Sequence, residues 1–68
     1  MNITYTVLSP ADVAVTVVCS SFAYALDLAE ADLARGWAPE AIRYGRQRWD
    51  IDGIRALIDA RYARQVGA

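Results

Sequence analysis

The sequence predicts a mainly α-helical fold: an N-terminal extended segment or short strand at 1–8, one long central helix at 10–35, and two shorter helices at 39–48 and 51–66 packed back on it. Three observations predict this. Ser9-Pro10-Ala11-Asp12 joins an N-cap serine, a proline preset at the first helical position and an acid near the positive end of the helix dipole, and no Gly or Pro follows until Gly36. Pro39 followed by Glu40 repeats that entry. Ile51, Ile54, Ile58 and Tyr62 recur at helical spacing.

Residues 2–8 read as a strand, because Ile3, Tyr5 and Val7 alternate with Asn2, Thr4 and Thr6. With no second strand read from the sequence, this one is left to pair with its copy across a two-fold, to join another protein's sheet, or to form an extended arm.

On the long helix, steps of about 100° gather Val15, Val18, Cys19, Phe22, Leu26, Ala29 and Leu33 on one face. Val13, Val17, Tyr24 and Leu28 form a second stripe, and Asp12, Thr16, Ser20, Asp27 and Glu30 a polar arc. The β-branched run at 13–18 also suits a strand, but the cap just before it and its lack of clean alternation favour helix. Arg35 and Gly36 supply the stop. Two short helices are too little to cover both stripes, so the sequence predicts a homodimer with Val13, Val17, Tyr24 and Leu28 at its interface.

The second helix presents Ala41, Ile42, Gly45 and Trp49, with Gly45 allowing close approach to the first. Asp50 or Asp52 caps the third, Leu57 lies beside its apolar stripe, and Gly67 ends it. Phe22, Leu26, Leu33, Ile42, Ile54 and Ile58 are the expected core.

Sixty-eight residues make one domain of marginal stability, while a 56% hydrophobic fraction excludes a disordered polar tail. The longest uncharged run, at 13–26, falls short of the roughly 20 residues a bilayer span needs, and no basic region precedes an apolar one at the N-terminus. A cytoplasmic protein that makes no membrane contact is expected. Cys19 is the single cysteine, read as a small buried hydrophobe. There is no His, and none of the eight carboxylates comes with a His, Lys or Ser arrangement that would mark a site, so no enzyme, no cofactor and no metal are expected. All seven basic residues are Arg, and with thirteen Ala this is the bias of a GC-rich genome, in a bacterium or in a phage or mobile element within one. A net charge of -1 argues against general nucleic-acid binding.

One cluster stands out: Arg35, Trp37, Arg43, Tyr44, Arg46, Arg48 and Trp49 hold four of the seven Arg within fifteen residues. Trp, Tyr and Arg dominate binding hot spots. Trp37, Arg43, Tyr44, Arg46 and Arg48 are therefore the candidate partner-binding residues of a small non-enzymatic regulator or inhibitor that occupies a surface of a larger protein. A second reading comes from residues 2–49. The Asn2, Thr4, Thr6 alternation and the Ser9-Pro10 helix entry resemble a ribbon-helix-helix repressor or antitoxin, which implies a dimer reading DNA through paired strands. The chain departs from that pattern in its doubled helix length, a strand without Arg or Lys, and Glu40 where the second helix meets phosphate.

Overall fold

The computed structural model describes residues 2–66, with the backbone alone at 64–66. The elements are β1 (Ile3–Leu8), β2 (Ala14–Cys19), α1 (Phe22–Ala34), β3 (Ala38–Tyr44), β4 (Gln47–Asp50) and α2 (Ile51–Val66). The strands form one antiparallel sheet in the order β2-β1-β3-β4, and both helices pack on one of its faces. This α+β arrangement replaces the mainly helical fold expected from the sequence.

The long helix at 10–35 does not form, because Ser9-Pro10-Ala11-Asp12 is a turn. Asp12 N–H donates to the Ser9 carbonyl at 2.9 Å, and Asp12 takes a left-handed φ of 61°. Ser followed by Pro suits a type I turn as well as a helix start, and Asp is among the few side chains enriched in left-handed backbone. Ser9 N–H donates to the Val13 carbonyl at 3.0 Å and Ser9 Oγ accepts from Val13 N–H at 3.2 Å, closing a three-residue hairpin loop. The β-branched run then has a partner, with Ile3 opposite Cys19, Tyr5 opposite Val17 and Val7 opposite Val15. Helix α1 starts later, where Ser21 Oγ accepts from Tyr24 N–H at 3.1 Å. It ends with Arg35 as C-cap and Gly36 at φ 84°.

The helix expected at 39–48 is instead the β3–β4 hairpin. Gly45 has φ 63° at the first of the two residues between Tyr44 and Gln47, the position a type II′ turn reserves for glycine. Its role is therefore the turn, in place of a helix contact. Pro39 sits within β3 opposite Val7, and β4 stops at Asp50 opposite Ala41. The missing N–H thus leaves no bond to β4 unmade. Asp50 Oδ1 accepts from Gly53 N–H at 2.9 Å, which makes Asp50 the cap of α2. Gly67, the expected stop, lies outside the described residues.

Alternation along β1 buries Ile3, Tyr5 and Val7, which pack with Cys19, Ile42, Ala25, Leu26, Ala29, Ile54 and Ile58. Of the expected core, Leu26, Ile42, Ile54 and Ile58 are buried, whereas Leu33 and Phe22 are half-buried, Phe22 lying edge-on to Trp49 at 4.7 Å between ring centroids. Between the helices, Arg61 Nη2 donates to Asp27 Oδ1 at 2.7 Å, and the Tyr62 hydroxyl bonds Glu30.

One polar network enters the core. Tyr5, 1% exposed, donates its hydroxyl to Asp32 Oδ2 at 2.7 Å, and Arg35 Nε donates to Asp32 Oδ1 at 2.8 Å. Burial, and then the bond to Asp32, push the Tyr5 hydroxyl far above its ordinary pKa of 10.0. Above that pH the unfolded chain gives up a proton that folded Tyr5 keeps, so this contribution is complete below pH 10.0 and lost as pH rises. The slope is about 1.4 kcal/mol per pH unit for one group. Tyr62, raised by its bond to Glu30, and Cys19, raised by burial, act in the same direction. Urea midpoints measured between about pH 8 and about pH 11 should fall with rising pH, and Tyr5→Phe should make the decline shallower.

Candidate functional site

The helices cover one face of the sheet, and the period of two along β1 turns Thr4, Thr6 and Leu8 to the other. Their register partners share that open face. Val18 and Thr16 stand beside Thr4 and Thr6 on β2, and Arg43 and Ala41 beside them on β3. Arg48 completes the row opposite Arg43. Together Thr4, Thr6, Thr16, Glu40, Ala41, Arg43 and Arg48 line a shallow, open concavity of about 310 Å³. Glu40 joins this rim where the β1–β3 register shifts between Thr6 and Val7, a bulge that places Glu40 without a partner of its own.

The hairpin fixes how close the two arginines come. Tyr44 and Gln47 flank the two-residue loop as a hydrogen-bonded pair, so Arg43 and Arg48 form the next, non-hydrogen-bonded pair. Cα atoms of such pairs approach to about 4.5 Å. Like charges directly opposite destabilise a sheet by a fraction of a kcal/mol, roughly 0.2–1.

Among the described residues neither arginine lies within ion-pair distance of an acid, and Glu40 is the one acidic residue that shares their concavity. Among the described residues the ion pairs join Arg35 to Asp32, and Arg61 to Asp27 and Glu30. Asp50, the register partner of Ala41, is engaged by the Gly53 amide. Thr6 and Thr16 bond to each other through their hydroxyls at 3.0 Å. The face therefore offers two planar guanidinium forks flanked by hydroxyls, a donor set able to grip a carboxylate or phosphate in bidentate fashion, with Glu40 on the rim as the one opposing charge.

The five candidate partner residues do not stay together. Arg43 and Arg48 meet on the open face, and Arg46 is the second loop residue of the hairpin. Tyr44 pairs with Ile3, which turns it toward the helix side at the end of the sheet, where it is 39% exposed. Trp37 packs against the core, and the Arg35 guanidinium lies 3.8 Å from its ring centroid. Intramolecular stacking accounts for both of those residues. The four residues read as a dimer stripe also part, since no single helix carries them. Val13 lies between the turn and β2 and is 57% exposed, Val17 is half-buried in β2, and Tyr24 and Leu28 are on α1.

Thr16 and Glu40 were outside every candidate set read from the sequence. The signal that finds Thr16 is Ser9-Pro10-Ala11-Asp12 taken as a hairpin turn, which sets Thr16 opposite Thr6. Glu40 reaches the face through a bulge that no local pattern marks. The strand-helix-helix order on which the ribbon-helix-helix resemblance rests is absent, because β1 is followed by its own hairpin partner β2. No helix among the described residues is long and apolar enough to cross a membrane. No protein family, curated protein or solved structure matches this chain.

Proposed function

We propose that this protein is a non-enzymatic binding module of the cytoplasm that regulates a larger partner by holding an acidic segment of it on the open face of the sheet. One observation carries the reading: Arg43 and Arg48 stand directly opposite each other on an uncovered face, and among the described residues neither makes an ion pair. An unneutralised like-charge pair costs the free protein energy that a bound carboxylate returns. The neighbouring Thr4, Thr6 and Thr16 offer hydroxyls, and Ala41 leaves the floor of the concavity low.

Acidic protein is preferred over nucleic acid because the residues lining the concavity include no aromatic side chain on which a base could stack. The test is fluorescence anisotropy with a labelled glutamate-rich peptide and, in parallel, a labelled DNA duplex. Arg43→Ala and Arg48→Ala should each weaken peptide binding about tenfold, the loss of one charge-assisted contact. Unchanged peptide affinity in both variants would remove the site. Tighter binding of the duplex, with a steep log-log salt slope, would transfer the face to nucleic acid.

A further inference from the structure

The two edges of the sheet are unlike. β4, at one edge, is four residues long and carries Arg48 and Asp50, the charges with which natural sheets blunt an edge. β2, at the other, is Ala-Val-Thr-Val-Val-Cys, without a charge or a proline, and the segment exposes Val13 at 57%, Val15 at 39% and Val18 at 67%. Such an edge is an open template for another strand.

The register fixes which backbone groups this edge offers. The Ser9–Val13 bond closes the first hairpin, so hydrogen-bonded pairs to β1 fall at Val15, Val17 and Cys19. The backbone N–H and C=O groups of Ala14, Thr16 and Val18 therefore point outward, and these three positions are symmetric about Thr16. From this geometry we infer that the β2 edge pairs with the β2 edge of a second copy of this chain, antiparallel, about a two-fold axis through Thr16. Thr16 then faces Thr16 of the second copy, and Ala14 faces Val18 in both directions, giving about six main-chain hydrogen bonds. On the helix side Val15 meets Val17, and Val13 meets Cys19. Every pair in this register is uncharged, and the half-exposed Val15 gains a β-branched neighbour.

The inference does not rest on the arginine reading, although Thr16 also lines the concavity. If both hold, the two arginine pairs share one eight-stranded face, with the two copies of β3 five strand spacings apart, about 24 Å.

Charge exchange at the two-fold tests it on the full chain without any ligand. In sedimentation velocity at micromolar concentration the wild type should run at twice the 7.5 kDa chain mass. Thr16→Lys and Thr16→Glu should each run at the single-chain mass with an unchanged far-UV spectrum, since each places like charges directly opposite. Mixing the two should restore the double mass, an outcome that requires residue 16 to meet its own copy. Hydrogen exchange reads the same contact, with the amides of Ala14, Thr16 and Val18 protected in the wild type. A wild type of single mass with those amides unprotected overturns self-pairing and leaves the edge to a strand of another protein. Double mass in both charged variants also overturns it, because the copies would then meet elsewhere. Should either variant fail to fold, the wild-type mass and amide protection decide alone.

Discussion

Ile42→Ala should abolish most of the stability of this protein. Ile42 has no exposed surface and stands at the middle of the sheet, between Tyr5 on β1 and Trp49 on β4, beneath residues from both helices. Truncating a fully buried Ile costs about 2–5 kcal/mol in lost transfer energy and residual cavity. At roughly 0.05–0.15 kcal/mol per residue, a chain this size holds only about 3–10 kcal/mol in total. A urea melt followed by far-UV circular dichroism should show a midpoint lowered by a large fraction or a chain unfolded in buffer. Phe22→Ala provides the comparison. Phe22 is only half-buried, packed edge-on against Trp49, and should cost less than Ile42→Ala. The opposite ranking would mean that the helix layer rather than the sheet forms the centre of the core.

The second large effect is expected at Asp32. The residue is 6% exposed, and its carboxylate serves as the acceptor for the Tyr5 hydroxyl and for Arg35. Asp32→Ala leaves the Tyr5 hydroxyl buried without a partner, at a cost of about 1–3 kcal/mol. Arg35 adds little to that loss, since its side chain is 56% exposed and recovers water. The prediction has a sharper form as a double-mutant cycle. Tyr5→Phe combined with Asp32→Ala removes both polar partners, and its cost should be less than the sum of the two single changes. Strict additivity in chemical melts would show that the bond from Tyr5 to Asp32 contributes nothing.

What the sequence reveals of this fold depends on how local each signal is. The alternation of Ile3, Tyr5 and Val7 needs no partner to be read, and β1 occupies Ile3–Leu8. Likewise Gly36 stops a helix wherever that helix began, and α2 lies where Ile51, Ile54 and Ile58 recur. The errors sit where one local pattern serves two structures. Ser9-Pro10-Ala11-Asp12 satisfies both an N-cap and a type I turn, and only the pairing of β2 with β1 selects the turn. Ser21, the cap of α1, falls in the interior of the helix expected at 10–35, where no cap is looked for. Pro39 misled for a similar reason, since it suits the first turn of a helix and also a strand position with no neighbour at its N–H side.

The site was legible in part. Arg43 and Arg48 stand out by composition alone, but on a helix they are five residues apart and point in different directions. The hairpin makes them opposite neighbours. Tyr44, Arg46 and Trp37 were grouped with them by closeness in sequence, which the alternation of a strand and the turn at Gly45 undo. Thr16, far from Arg43 in sequence, reaches the same face only because β1 lies between β2 and β3.

The most direct test of the account is a proton nuclear Overhauser spectrum of the protein in solution. Non-hydrogen-bonded antiparallel pairs bring their Hα atoms into close contact. Strong Hα–Hα cross-peaks are therefore expected for Thr4 with Val18, for Thr6 with Thr16, and for Arg43 with Arg48. Their presence would establish both hairpins and place the two arginines side by side on one face. Helical contacts between residues three apart, running through Val13, Thr16 and Cys19 and again through Arg43 and Arg46, would contradict the sheet and with it the binding face.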